Sequence, residues 1–206
     1  MNLYQRTLEP ALVSFCCGLK PMRKQREKIV PRAHGVVLEV GFGAGHNLPY
    51  YAADKVEKLF ALEPAEGMRK RAAARLAETP LDVELLDLPG EKVPLGDASV
   101  DSVLITYTMC TIPDVASALK EIRRVLKPGG EMFFCEHGIA PDEGVAAWQN
   151  RLDGVWGALA GGCHLNRDIP AIVRNSGFVI SGLETMYLPG TPKIAGYNYW
   201  GAAVAA

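Results

Sequence analysis

The sequence lacks the marks of several broad classes of protein. Its formal net charge is only −1, so its charge gives no sign of a polyanionic partner. No apolar run approaches the roughly 18 residues of a membrane-spanning helix, and the N-terminus lacks the charged-then-apolar order of a signal peptide. Five cysteines form no C-x-x-C pair and leave an odd one over. We therefore expect reduced thiols in a cytoplasmic protein, no metal site, and a single domain over residues 1–206.

Strand-like and helix-like segments alternate along the chain, which predicts an α/β fold. The pattern favours a Rossmann-like, doubly wound, mostly parallel sheet of seven strands with helices on both faces. Strands are predicted at 36–40, 58–62, 83–86, 100–106, 131–137, 178–185 and 198–205. Helices are predicted at 65–78, at 115–126, after residue 145, and at 169–176, the last with Asn166 or Asp168 as its N-cap.

Residues 1–34 precede the first predicted strand and mix apolar and polar positions at helical spacing. We expect them to form a helical cap that helps to build the ligand site. The apolar residues of the cap are Leu3, Tyr4, Leu8, Leu12, Val13 and Phe15. A basic stretch at 20–28 reads most simply as a solvated face, and weak contact with an anionic membrane surface is the second interpretation.

A glycine-rich turn follows the first predicted strand, in the segment Glu39-Val40-Gly41-Phe42-Gly43-Ala44-Gly45. Glycine tolerates positive φ and lets the backbone approach a ligand closely. The third glycine comes one residue too early for the dinucleotide fingerprint G-x-G-x-x-G. Glu39 would repel a pyrophosphate and suits a ligand with a cationic end, such as the amino group and sulfonium of S-adenosylmethionine.

Four candidate features fall at the carboxyl ends of predicted strands, where doubly wound sheets bind ligands. They are residues 41–45, Glu63, the Gly90–Glu91 turn and Thr106. A carboxylate at the end of the second strand is placed to accept hydrogen bonds from both ribose hydroxyls of an adenosine. Met68 is either packed on the adenine face or part of the core.

Several motifs occur in order over about residues 34–137: E-V-G-F-G-A-G, L-E-P, G-D-A-S-V-D-S-V and R-R-V-L-K-P-G-G. They resemble the class I S-adenosylmethionine-dependent methyltransferases of the type 11 branch. The resemblance implies that Gly41, Gly43 and Gly45 wrap the methionine end of the cofactor. It also implies that Glu63 holds the ribose and that Pro64 belongs to the cofactor site. Gly90 and Glu91 would then lie by the adenine, and Thr106 near the reacting methyl group.

The C-terminal part is similar to the alkyl-thiol S-methyltransferases, through the segments 153–156, 162–168 and 196–201 and the pair Glu136-His137. This resemblance implies a small-molecule acceptor, a thiol first, with phospholipid or quinone-type acceptors at a membrane surface as alternatives. His137 is the candidate general base, since an imidazole titrates near neutral pH; a core histidine is the other interpretation. His164 would line the acceptor pocket or belong to a capping cluster.

The same residues bear on three other function classes. Methyltransferases of exocyclic amines in nucleic acids usually carry an Asp/Asn-Pro-Pro-aromatic tetrad after the fourth strand. Here that position holds Thr106-Tyr107-Thr108-Met109, so no nucleic-acid substrate is expected. An NAD-dependent oxidoreductase is disfavoured by the glycine spacing. A non-catalytic cofactor-binding module stays open at this point.

Overall fold

The computed structural model describes residues 8–206 and contains one seven-stranded sheet in the order β3-β2-β1-β4-β5-β7-β6. The first five strands pair in parallel, and β7 pairs antiparallel with both β5 and β6. The strands are β1 Gly35–Val40, β2 Val56–Leu62, β3 Val83–Leu86, β4 Val100–Thr106, β5 Leu126–His137, β6 Phe178–Tyr187 and β7 Tyr197–Ala205. The predicted fold class is confirmed.

Helices cover both faces of the sheet and enclose two buried apolar clusters. The helices are α1 Glu9–Cys17, α2 Lys20–Ile29, α3 Glu66–Glu78, α4 Val115–Val125, α5 Glu143–Leu159, α6 Ile169–Asn175 and α7 Lys193–Gly196. One cluster joins α4 and α6 to the sheet, and the other joins the end of α2 and α3. Strand β1 contributes side chains to both clusters, because successive side chains of a strand point to opposite faces of the sheet. Val37 and Leu38 are an example.

The fifth strand is longer than the sequence predicts. It was expected to start at residue 131, but pairing with β4 already begins at Leu126, with a register shift opposite Val100–Ser102. The Lys-Pro-Gly-Gly segment that ends α4 is absorbed into this irregular start. Lys127 Nζ lies 2.7 Å from Asp101 Oδ1 and ties the segment to β4.

The N-terminal cap is helical, as predicted, and consists of α1 and α2. Ile29 at the end of α2 is fully buried in the core, so the cap is anchored to the sheet. Leu3 and Tyr4 of the predicted cap lie outside the described residues. Within residues 8–206, no helix is both long and apolar enough to span a membrane.

Candidate active site

A cavity of about 800 Å³ opens at the carboxyl ends of β1, β2 and β4, beneath the cap. This is the edge at which parallel α/β sheets bind ligands. The polypeptide contributes four groups of lining residues: Glu9, Pro10, Val13, Cys17 and Arg26 from the cap; Gly41, Phe42, Gly43, Ala44, His46 and Asn47 from the glycine loop; Glu63, Pro64, Ala65, Glu66, Gly67, Met68 and Lys70 after β2; and Thr106, Tyr107, Thr108, Thr111, Ala160 and Gly161.

The glycine loop needs its glycines for two different reasons. Gly41, at φ +74°, lies against Thr108, and a Cβ added there would come within 2.1 Å of the threonine Oγ1. Gly43, at φ +59°, is open, since its nearest neighbour would be the Met68 Cε at 3.8 Å. Gly41 therefore permits close packing against the β4 end, whereas Gly43 leaves space on the cavity side. Gly45 also has positive φ but does not line the cavity.

Glu63 follows β2 and is held rigidly by the backbone. One carboxylate oxygen accepts a hydrogen bond from Gly43 N and the other from Ala65 N, both at 2.8 Å. Burial raises the pKa of Glu63, and the two backbone donors oppose that rise. Each oxygen keeps a second lone pair for a ligand hydroxyl. Arg69 stabilises the turn: it donates a hydrogen bond to the Glu63 carbonyl and forms an ion pair with Asp87.

The other residues predicted to contact the cofactor divide into two sets. Pro64, Met68 and Thr106 line the cavity together with Glu63. Gly90 and Glu91 do not: Gly90 packs against Val40 and Ala118, and the Glu91 carboxylate accepts from Asp114 N at 3.4 Å. Their place beside the adenine stays a prediction.

Glu39 lies behind the cavity wall and not in it. Its carboxylate is buried and accepts hydrogen bonds from Asn47 Nδ2 at 2.9 Å and from the Tyr51 hydroxyl at 2.6 Å. Burial raises the pKa of Glu39 to about 7. The same Asn47 amide donates to Thr106 Oγ1 at 2.9 Å. Glu39 thus orients a lining residue, and its direct contact with the cofactor stays a prediction.

Arg26 brings the cap into this network, although the sequence predicted a solvated face for the basic stretch 20–28 that contains it. Its guanidinium is buried, donates from Nε to Asn47 Oδ1 at 2.8 Å, and lies 5.3 Å from the centre of the Tyr107 ring. Tyr107 itself has φ +53°, an uncommon conformation for a non-glycine residue. The cavity therefore has a buried cation on its wall.

His46, which follows the glycine loop, joins that loop to α1. Its Nε2 lies 2.9 Å from the Ser14 carbonyl oxygen. Burial, together with the charges of Arg26 and Arg75, lowers the pKa of His46 to about 4. A neutral ring therefore lines the cavity at physiological pH.

His137 ends β5, as predicted, but it does not line the cavity. Its Nε2 lies 2.9 Å from Cys163 Sγ, and its Nδ1 is buried. A hydrogen bond from Cys110 and the charge of His137 lower the pKa of Cys163, against the effect of burial. The neighbouring Glu136 is buried too, and its Oε1 accepts from Thr108 N and Met109 N. The base role of His137 stays a prediction.

The loop between α5 and α6 is fixed by polar contacts of its own. His164 Nδ1 lies 2.8 Å from Asp153 Oδ2, and the other oxygen of Asp153 accepts from Leu165 N. Asp168 caps α6 by accepting from Ala171 N at 3.0 Å. The structure therefore places His164 in a loop-fixing cluster outside the cavity lining.

Known proteins resemble this chain in both sequence and fold. A family described as "Methyltransferase domain" matches residues 38–134. Thiol S-methyltransferase TMT1B of Rattus norvegicus is 32% identical over 169 residues, which cover 78% of this chain and 68% of the relative. Thiol S-methyltransferase TMT1A of Homo sapiens is 30% identical over 172 residues, covering 82% and 70%. The chain belongs to the S-adenosylmethionine-dependent methyltransferases.

The fold of this methyltransferase matches solved structures of the family at low identity. The structure of a geranyl diphosphate methyltransferase in complex with S-adenosylmethionine has a TM-score of 0.70 at 13% identity, covering 90% of this chain and 86% of the other. The cofactor is S-adenosylmethionine. The site fits it: Glu63 offers two fixed carboxylate oxygens for a ribose diol, and Gly43 leaves a side of the cavity open.

Proposed function

We propose that this methyltransferase transfers the methyl group to the sulfur of a small lipophilic thiol. The observation that carries the proposal is the buried guanidinium of Arg26 on the cavity wall, beside Cys17 and Tyr107. A nearby cation stabilises a thiolate, which is the reactive form of a thiol. The related proteins named as thiol S-methyltransferases support the same acceptor class.

The cofactor supplies an already activated methyl group, so the protein has mainly to position two reactants and exclude water. Glu63 binds the ribose and fixes the donor at the β2 end of the cavity. The lining also holds the small and apolar residues Val13, Ala160 and Gly161, with the Glu9 carboxylate next to Gly161. The apolar residues favour a lipophilic acceptor, and the carboxylate disfavours a phosphorylated one.

Among the described residues, no histidine that lines the cavity is a strong enough base to remove the proton of the acceptor. His46 has its pKa lowered to about 4, and His137 lies outside the lining. The acceptor sulfur is therefore proposed to react as a thiolate stabilised by Arg26. Its sulfur forms the new bond to the methyl carbon as the bond from that carbon to the donor sulfur breaks, which leaves a thioether and the demethylated donor.

A second candidate is a lipid-like acceptor at a membrane surface, such as a phospholipid or a quinone. The observation that favours it is on α1, where Leu12 and Phe15 are 50% and 68% exposed beside the lining residues Pro10 and Val13. Basic side chains of α2, such as Lys24, follow closely in the chain. Together they suit the surface of an anionic bilayer.

An acceptor panel separates the two candidates. The full chain is incubated with methyl-labelled S-adenosylmethionine and, in turn, an alkyl thiol, an aryl thiol, a primary amine, a phenol, and vesicles containing phosphatidylethanolamine. We expect label only on sulfur, at a rate that rises with pH below the pKa of each free thiol. Label on the amine, the phenol or the lipid, with both thiols unmodified, would overturn the proposal.

A further inference from the structure

Three side chains that bind soft metal ions meet beside the active-site cavity. Cys110 lies in the loop after β4, His137 ends β5, and Cys163 lies in the loop before α6. One ligand atom from each of them lies within 4.8 Å of the other two. Both cysteines are buried, at 2% and 8% exposure. The sequence does not indicate this group, because the three residues lie far apart in the chain and only the fold brings them together.

We propose that Cys110, His137 and Cys163 bind a zinc ion. Two sulfurs and one imidazole nitrogen form a ligand set that zinc prefers. Zinc bonds of about 2.0–2.3 Å place tetrahedral ligand atoms about 3.5–3.8 Å apart. His137 Nε2 lies 2.9 Å from Cys163 Sγ, and all three ligand atoms lie within 4.8 Å of one another. The His137–Cys163 pair must therefore move apart by a few tenths of an ångström to receive the ion.

The surroundings of the three residues suit a dication. Glu136 is buried next to His137 in the chain, and its Oε2 has no hydrogen-bond partner among the described residues. A buried carboxyl oxygen without a partner is costly, and a nearby dication would offset that cost. His137 keeps a proton on Nδ1 when Nε2 binds the metal.

The scaffold around the site is already fixed without the metal. His164 N donates to the Cys110 carbonyl at 2.9 Å, and Cys163 N donates to the Ala160 carbonyl at 3.2 Å. The first bond joins the two loops that carry the cysteines, and the second fixes the turn that leads into Cys163. A site supported in this way needs little rearrangement to receive an ion.

The three protein ligands leave the fourth tetrahedral position of the proposed zinc open. Among residues 8–206, no fourth histidine, cysteine or acidic side chain joins the group. Three protein ligands with an open fourth position are typical of catalytic zinc. Thr111 follows Cys110 in the chain and Gly161 lies two residues before Cys163; both line the cavity, whereas none of the three proposed ligands does. We therefore assign the fourth position to a water molecule, and the acceptor sulfur stays with Arg26 in the cavity.

Cobalt substitution tests the site without any use of methyl transfer. The full chain is stripped with a chelator under reducing conditions and titrated with Co²⁺ and then Zn²⁺. We expect one ion per chain, with the visible bands of tetrahedral cobalt and the ultraviolet band of thiolate ligation. Cys163→Ser should weaken zinc binding by more than about a hundredfold, beyond the effect of changing a residue that only hydrogen-bonds to a ligand. Cys16→Ser, at an exposed cysteine, is the matched control.

Three results overturn the zinc site: wild-type protein that takes up no stoichiometric metal, cobalt bands that lack thiolate ligation, or Cys163→Ser that binds zinc as tightly as Cys16→Ser. The wild-type titration decides the question even where a cysteine variant does not fold. Zinc binding by a protein that methylates no thiol supports the site and rejects the proposed function.

Discussion

Arg26 Nε donates a hydrogen bond to Asn47 Oδ1 at 2.8 Å, which joins the N-terminal cap to the network beneath the glycine loop. The amide nitrogen of Asn47 in turn donates to Glu39 and to Thr106. The guanidinium also donates to the Cys17 carbonyl at the end of α1. The cap therefore helps to build the cofactor site. Removal of the cap would take away Arg26, whose charge lowers the pKa of the buried Glu39.

Arg26→Lys should lower both stability and thiolate stabilisation. A lysine amine lacks the planar fork of arginine and cannot keep both bonds, and a lost bond to a charged group costs about 1.5–3 kcal/mol. We expect that loss in denaturant unfolding, and a rate profile for thiol methylation displaced to higher pH. Arg23→Lys, on the exposed side of α2, is the control and should stay within about 0.5 kcal/mol of wild type. Equal effects of the two substitutions would contradict a role of Arg26 in the site.

Gly43→Val should abolish cofactor binding and leave a folded protein. The residue has φ +59°, which costs a side chain roughly 1–2 kcal/mol, and the side chain enters the open part of the cavity. Calorimetric titration with the demethylated cofactor measures the binding, and circular dichroism the fold.

Two other glycine variants sharpen this test. Gly41→Ala should unfold more easily than Gly43→Ala, because its Cβ meets Thr108 at 2.1 Å. Gly154→Ala, where a Cβ meets nothing within 4 Å on helix α5, should be neutral or stabilising. Normal cofactor binding by Gly43→Val would mean that the loop is only a turn.

Glu39→Gln should change how stability depends on pH. In the folded protein burial raises the pKa of Glu39 from 4.5 to about 7, with Arg26 lowering it and Glu63 raising it. A raised pKa favours folding at low pH, and this contribution disappears as pH rises from 4.5 through 7. Relative to Glu39→Gln, the wild type should therefore lose up to about 3 kcal/mol between pH 4.5 and pH 8. A difference that does not vary with pH in denaturant unfolding would contradict the shift.

The sequence predicted the sheet because its strands are apolar runs bounded by clear turn residues, and the parallel order followed from alternation with helices. It also predicted Gly41, Gly43, Glu63 and Thr106 at the cavity, since each follows a strand that the pattern located. The role of Arg26 could not be predicted, because a basic residue on an amphipathic helix is usually exposed to solvent. The role of Asn47 could not be predicted either, because its partners Arg26, Glu39 and Thr106 come from three other segments of the chain. The contact of Cys163 with His137 joins loops distant in sequence, and no local pattern indicates it.

The most direct test of the account is the affinity of Glu63 variants for the demethylated cofactor, measured by calorimetry. Glu63→Gln keeps the size of the side chain but loses one acceptor and its charge, so we expect about 1.5–3 kcal/mol weaker binding, or about tenfold to a hundredfold. Glu84→Gln removes a carboxylate that pairs with Lys58 outside the cavity and should bind like wild type. Binding of Glu63→Gln within twofold of wild type would contradict the site described for the cofactor.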